Sequence, residues 1–317
     1  MKFKLLKFAA PLLAAIALLS GCDTTTLKAV PAELGKASSM EQLRASLARS
    51  GTIEFTKHQS ADWAINLSGL LNLEHPKAIN AGLEDRQEPI EIYLYSLRHP
   101  TKGNYFVDSG VSEKLLPDST ETDLSYLVKM GMGTDAIKVN RTTKAISSEL
   151  AGGVKGVFLT HIHIDHILGV SDLPSGTEVY IGPGDARLNN LTNAAVQGST
   201  DRLLANAGVL REWQFEGSKG EQASVIDIFG DGSVWAIHSP GHTPGTTAYL
   251  INSTEGPQLL TGDACHTRWG WAHQVEPGSF SVNPEQSVIS LTVLAELVKE
   301  FPQIRVHMGH QSLASSM

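Results

Sequence analysis

The chain has 317 residues, 41% of them hydrophobic and 18% charged, a balance that fits a globular enzyme and excludes a disordered, highly charged chain. Its formal net charge is −8, and no run of lysines and arginines occurs after residue 7, which excludes nucleic-acid binding through clustered cations and disfavours a polyanionic substrate. The two cysteines, Cys22 and Cys265, are too few for a disulfide framework.

The first element in chain order reads as a targeting signal. Lys2, Lys4 and Lys7 precede an apolar stretch from residue 8 to residue 19, too short to span a bilayer comfortably and of the length of a secretory signal's apolar core. It runs into Leu19-Ser20-Gly21-Cys22, which resembles the lipobox of bacterial lipoproteins. That resemblance implies cleavage after residue 21, lipidation of Cys22 and attachment to a membrane. Asp23 implies retention at the periplasmic face of the inner membrane. Removing residues 1–21 takes away three lysines and no acidic residue, so the formal charge moves from −8 to −11.

Residues 22–51 read as a tether followed by a short helix, with Ser38 or Ser39 as its cap and Leu43, Leu47 and Ala48 on one face. The main domain is expected over 52–317. A strand over 92–97, a turn at Thr101-Lys102-Gly103 and a strand over 105–107 make a hairpin ending in Asp108-Ser109-Gly110. Helical stretches around 124–130 and 145–150 precede a short buried strand over 157–159. Further strands are predicted over 178–181, 233–237, 247–251 and 258–260. The last helix is capped by Asn283, opened by Pro284 and stopped by Pro302, with Val288, Leu291, Leu294, Ala295 and Val298 as its apolar face; a strand over 304–306 follows. Strands alternating with helices give an α/β layered domain.

Chemistry concentrates in Thr160-His161-Ile162-His163-Ile164-Asp165-His166, which follows the buried strand directly. On an extended segment His161 and His163 share a side, while the adjacent Asp165 and His166 must point in different directions. Two imidazoles can then share one ion while the carboxylate and the next imidazole reach another, and His and Asp both suit a borderline metal such as zinc.

This run resembles the HxHxDH signature of the metallo-β-lactamase superfamily, which implies a four-layer αββα sandwich with metals at the edge between two sheets. The later motifs can be matched in order. Ser239-Pro240-Gly241-His242-Thr243-Pro244-Gly245 resembles the PGHTxG loop and implies His242 as a ligand; Thr261-Gly262-Asp263 resembles the GD motif and implies Asp263 as a bridging carboxylate. Gly309-His310 resembles the terminal GH pair of the lactonase and glyoxalase II branches, so His310 is expected as the last ligand, with His307 as its competitor. The resemblance thus implies two divalent ions, with zinc expected. His161, His163 and His242 hold one, Asp165, His166 and His310 the other, and Asp263 is shared.

Such a pair supplies a bridging hydroxide as nucleophile, so none is needed from a serine or cysteine. Asp165 is expected to orient it. His266 stands where lactonases of this fold carry a substrate-contacting tyrosine, and is a candidate acid or hydrogen-bond donor. Trp269-Gly270-Trp271 is expected to wall the pocket, and Cys265 to be a small buried side chain. A glyoxalase II would be expected to carry a helical domain after the last ligand, where seven residues follow His310 in this sequence, and Asp263 counts against β-lactam hydrolysis. The expected activity is hydrolysis of a small ester or lactone. The alternatives are a small-molecule phosphodiesterase, a β-lactamase-like hydrolase and, from other classes, a mononuclear iron redox enzyme or a non-catalytic metal-binding lipoprotein.

Overall fold

A computed structural model describes residues 22–216 and 224–311. The expected export signal, residues 1–21, lies outside them. The strands are β1 (Ala29–Pro31), β2 (Lys36–Ser38), β3 (Glu54–Asn66), β4 (Gln87–His99), β5 (Gly103–Val107), β6 (Lys138–Val139) and β7 (Val154–Phe158) in the first half. The second half adds β8 (Glu178–Ile181), β9 (Leu210–Glu212), β10 (Val225–Asp227), β11 (Val234–His238), β12 (Thr247–Ser253), β13 (Gly256–Gly262) and β14 (Arg305–Met308). Among the described residues these form an eight-stranded sheet in the order β1-β9-β8-β7-β5-β4-β3-β6 and a six-stranded sheet in the order β14-β13-β12-β11-β10-β2.

Side-chain alternation along the strands builds the layers. In β4, Tyr93, Tyr95 and Leu97 enter an apolar layer between the two sheets, where they meet Tyr249 and Ile251 of β12 and Val234 and Ala236 of β11. Ile90, Ile92 and Leu94 of the same strand face the other way, toward Val128, Ile146 and Leu203 on helices Tyr126–Met132, Thr143–Ser148 and Leu191–Leu203. On the far side, Trp235, Ile237 and Leu250 pack against Met40 and Leu43 of helix Met40–Ser46 and Leu294 and Leu297 of helix Pro284–Glu300. Helix, sheet, sheet, helix is the expected αββα sandwich. Strands buried on both faces lose the alternating polarity of a half-exposed sheet, which is why Val157-Phe158 at the end of β7 and residues 248–251 of β12 read as apolar runs.

The local signals act as expected at the helix ends. Ser39 caps helix Met40–Ser46 with a reciprocal Gln42 contact, and Asn283 accepts from the backbone of Gln286 at the start of helix Pro284–Glu300. The apolar face of that last helix is rotated from the expected one. Leu291, Leu294 and Leu297 are buried, while Val288 is exposed.

Residues 22–51 are woven into the domain rather than forming a loose tether. β1 pairs in parallel with β9, β2 pairs antiparallel with β10, and Asp201 accepts from the Thr26 backbone at 2.8 Å and from its hydroxyl at 2.7 Å. Asp23 and Thr24 are held by Gln197 and Asn193 of the same helix, at 2.8 and 3.0 Å. No helix among the described residues is long and apolar enough to cross a membrane.

In β14, Val306 and Met308 face the last helix, which turns His307 inward between the sheets. There it lies 5.4 Å from the Phe55 ring and 5.7 Å from that of Tyr95, with Nε2 2.9 Å from Gln258 Oε1. Burial, then the charges of Lys57 and Arg305, push its pKa from 6.5 down to about 4. A depressed histidine pKa favours the neutral ring in the fold, so this contribution to stability is complete above pH 6.5 and is lost as pH falls toward 4. Replacing His307 with Gln should therefore flatten the fall in melting temperature between pH 7 and pH 4.5, with the gap between parent and variant closing or reversing at the acid end. A gap equal at both pH values would show that His307 does not titrate in this way.

Candidate metal centre

The expected ligands converge at one edge of the sandwich, on segments that leave strand C-termini. β7 delivers His161 and His163, and the next turn of chain, the short helix Ile164–Ile167, presents Asp165 and His166. The loop between β11 and β12 carries His242, Asp263 follows β13 and His310 follows β14. Their donor atoms fall into two compact groups, His161, His163, His242 and Asp263 in one and Asp165, His166 and His310 in the other, each with its atoms within 4.8 Å of one another. His307, the competitor for the last position, is turned away between the sheets.

Two glycines make this convergence possible. Gly262 has φ +50°, and a Cβ there would sit 2.6 Å from the Thr160 side chain, so the turn into Asp263 needs the residue with no side chain. A Cβ on Gly309 would meet Asp263 Oδ1 at 2.1 Å. The GD and GH pairs are thus two halves of one close backbone approach.

Asp263 is the hub. Its Oδ2 lies 3.6 Å from His161 Nε2, 3.4 Å from the Nε2 atoms of His166, His242 and His310, and 3.1 Å from His266 Nε2. Within the first group, His242 Nε2 is 3.1 Å from His161 Nε2 and 2.8 Å from His163 Nδ1. Donors that share an ion at bond lengths of about 2.0–2.1 Å stand at such separations.

The far side of each ring fixes which nitrogen faces the centre. His166 Nδ1 donates to Asp108 Oδ2 at 2.8 Å, and His310 Nδ1 donates to the Glu91 carbonyl at 3.1 Å. His242 Nδ1 lies 3.3 Å from Ser281 Oγ and His161 Nδ1 3.2 Å from Thr160 Oγ1. Asp108 also accepts from the Thr160 backbone at 2.7 Å, tying the end of β5 to the start of the histidine run. Asp185 does similar work between loops, accepting from Ile162 N at 3.3 Å and Gly245 N at 2.8 Å; burial pushes its pKa up to about 7. Asp108, Asp185 and Ser281 were not singled out by sequence reasoning. Only Asp108 left a trace there, as the polar Asp-Ser-Gly that ends the hairpin.

Charge within the site is sharply divided. Burial lowers the His161 and His242 pKa values well below 6.5, with neighbouring imidazoles adding to the effect, so both rings are neutral with lone pairs to give. For His310 burial acts downward too, but is outweighed by Asp263 and Asp165, which raise it to about 10. Burial would raise the Asp263 pKa; His266, His310 and His166 together hold it well below the ordinary carboxylate range. The cluster needs positive charge around its carboxylates. His166 Nε2, Asp263 Oδ1 and both ring nitrogens of His266 are buried without a hydrogen-bond partner, each a cost of about 1–3 kcal/mol that a cation would remove for the atoms it binds. The donor set and its orphaned atoms fit divalent ions.

His161, His166, His242, Asp263 and His310 are buried, whereas His163 and Asp165 are half-buried and mark the opening. His266, expected as a substrate-facing donor, lies at the cluster but is only 1% exposed. Cys265 is a buried thiol whose pKa burial raises to about 12, and it contacts the Thr267 carbonyl rather than the donor groups. The expected tryptophan wall is not formed as such: Trp269 packs against the larger core and stacks on His273 at 4.1 Å, and Trp271 packs on the far side against the last helix's core. The exposed apolar residues beside the site are instead Phe280 and Val282, which flank Ser281.

The metallo-beta-lactamase superfamily profile matches residues 130–302. The chain is 30% identical to "N-acyl homoserine lactonase AttM" of Azorhizobium caulinodans over 228 residues, 67% of this chain and 79% of that one. In fold it is similar to an N-acyl homoserine lactone hydrolase solved with N-hexanoyl-L-homoserine at its catalytic metal centre, with TM-score 0.55 and 16% identity over 82% of this chain and 93% of that one. A second solved structure, the dizinc quorum-quenching lactonase AidC, has TM-score 0.51 and 14% identity over 88% of this chain and 91% of that one. With the motifs, the sandwich and the convergent donors in agreement, the chain belongs to the metallo-beta-lactamase superfamily and is a metallo-hydrolase.

Proposed function

We propose that this protein hydrolyses a small lactone or ester, with N-acyl homoserine lactones as the favoured substrate class. The observation that carries the reading is the buried Asp263 carboxylate facing imidazoles from both donor groups, an arrangement suited to a pair of divalent ions. His161, His163 and His242 would hold one ion, Asp165, His166 and His310 the other, with Asp263 shared and zinc as the expected metal. When bound, the pair would supply a hydroxide at neutral pH and polarise the acyl carbonyl.

The chain's own residues do the rest. His166 and His310 outweigh burial and hold Asp165 below the ordinary carboxylate range, so it enters the reaction ionised at the opening of the site and can accept a hydrogen bond from the attacking water. Asp108 keeps Nε2 of His166 turned inward, and Glu91 does so for His310 through its carbonyl. Phe280 and Val282 give the rim an apolar side suited to an acyl chain. The lactone or ester opens by addition of water across its acyl C–O bond, yielding a carboxylate and an alcohol.

The test is to load the purified chain with zinc, count ions and screen N-acyl homoserine lactones, simple esters, phosphodiesters and β-lactams. Two ions per chain with lactone turnover is the expected result. Asp263→Ala should lose more activity than Asp108→Asn, whose expected cost is roughly 10–100-fold in metal affinity or activity as an outer partner. A fully loaded chain that opens no lactone or ester, or an Asp263→Ala variant as fast as the parent, would refute the reading.

We also propose that the chain is exported and lipidated at Cys22, facing the periplasm from the inner membrane. The lipobox-like sequence and the half-buried position of Cys22 at the edge of the domain support this. Labelled palmitate fed to the producing bacterium should enter the parent and be absent from Cys22→Ser; equal labelling of the two would overturn it.

A further inference from the structure

His266 stands outside both donor groups, yet no imidazole Nε2 of the cluster lies nearer to Asp263 Oδ2. Its ring stacks on His310 at 5.7 Å and 11°, and meets His242 edge-on at 5.0 Å and 76°. The backbone holds it there, since His310 N donates to the His266 carbonyl at 3.2 Å and Gly309 N to that of Cys265 at 3.0 Å. At 1% exposure the ring is screened from an entering substrate by its neighbours.

Both ring nitrogens are buried without a hydrogen-bond partner, although Nε2 is 3.1 Å from a carboxylate oxygen. At that distance only direction can deny a hydrogen bond. The Nε2 axis therefore points past the oxygen, which is how two donors stand when they bind the same ion from adjacent corners. An imidazole so placed can offer its Nε2 lone pair to an ion.

We propose that His266 Nε2 is an additional metal-ligating nitrogen, joining Asp263 on one of the ions the cluster would hold. The inference rests on the reading that the cluster holds divalent ions. It moves His266 from the substrate side of the reaction to the metal side, and gives this chain an imidazole where the lactonase pattern implies a tyrosine.

The experiment uses the full-length chain loaded with cobalt(II), comparing the parent with His266→Phe and His266→Gln; the glutamine variant serves if the apolar one does not fold. Metal content is followed during titration with a chelator, and the visible spectrum is recorded at each step. Both variants should release one ion at a chelator concentration about 10-fold or more below that needed for the parent. The bands of the loaded variants should also shift in position and intensity because one site has lost a donor. Variants that keep both ions with the parent's affinity and spectrum, and change only the pH profile of turnover, would overturn the inference and return His266 to proton donation. A parent that binds no cobalt would overturn both this inference and the two-ion reading, so the two failures are distinguishable.

Discussion

A carboxylate buried among imidazoles is the constraint on which this molecule turns. Asp263 is 3% exposed, and the imidazoles of His266, His310 and His166 are what hold its carboxylate charged against burial. Unpaired, a buried charge of this kind costs several kcal/mol, and its partners must come from well-separated parts of the chain. The sandwich meets that demand by ending β7, β11, β13 and β14 at one edge, so that loops of different origin arrive within a few ångströms. Glycines at 262 and 309 remove the side chains that would hold those ends apart.

The same constraint explains the layer of residues behind the donors. Imidazoles gathered round one point need their rotation fixed, or their inward nitrogens would not meet. Asp108, Thr160, Ser281 and the Glu91 carbonyl each take the far nitrogen of a ring, and three of them sit on segments remote in sequence from the ring they hold. Asp185, bonded to both the His161–His163 segment and the His242 loop, links the two halves of the first donor group.

What was legible in the sequence follows from this physics. The histidine run could be read because four donors are packed into six positions, and the later ligands because each is paired with a glycine or proline that its turn requires. His310 was separable from His307 only through its glycine, and strand alternation in β14 supplies the reason: with Val306 and Met308 facing the helix, His307 must face the sheets. β3 was not legible, since its register shifts between Gln59 and Ala61 and that irregularity breaks the alternation that marks a half-exposed strand. β1 and β2 are three residues each and are defined by partners far along the chain. The outer partners of the ligands escaped for the same reason, and the tryptophan pair misled because residues two apart on a helix face different neighbours.

The first described residues hold one more consequence. Asp23 is bonded by Gln197, Thr24 by Asn193 and Thr26 by Asp201, so the chain is fastened along helix Leu191–Leu203 from the residue after Cys22 onward. Anything attached at Cys22 therefore has almost no slack. A flexible leash of tens of residues lets a domain tumble and sample a hemisphere, whereas here the reach is one or two residues, at most about 3.6 Å each. An anchor at Cys22 would act as a pivot, keeping the helix beside the surface it is fixed to and limiting the directions in which the opening at His163 and Asp165 can face.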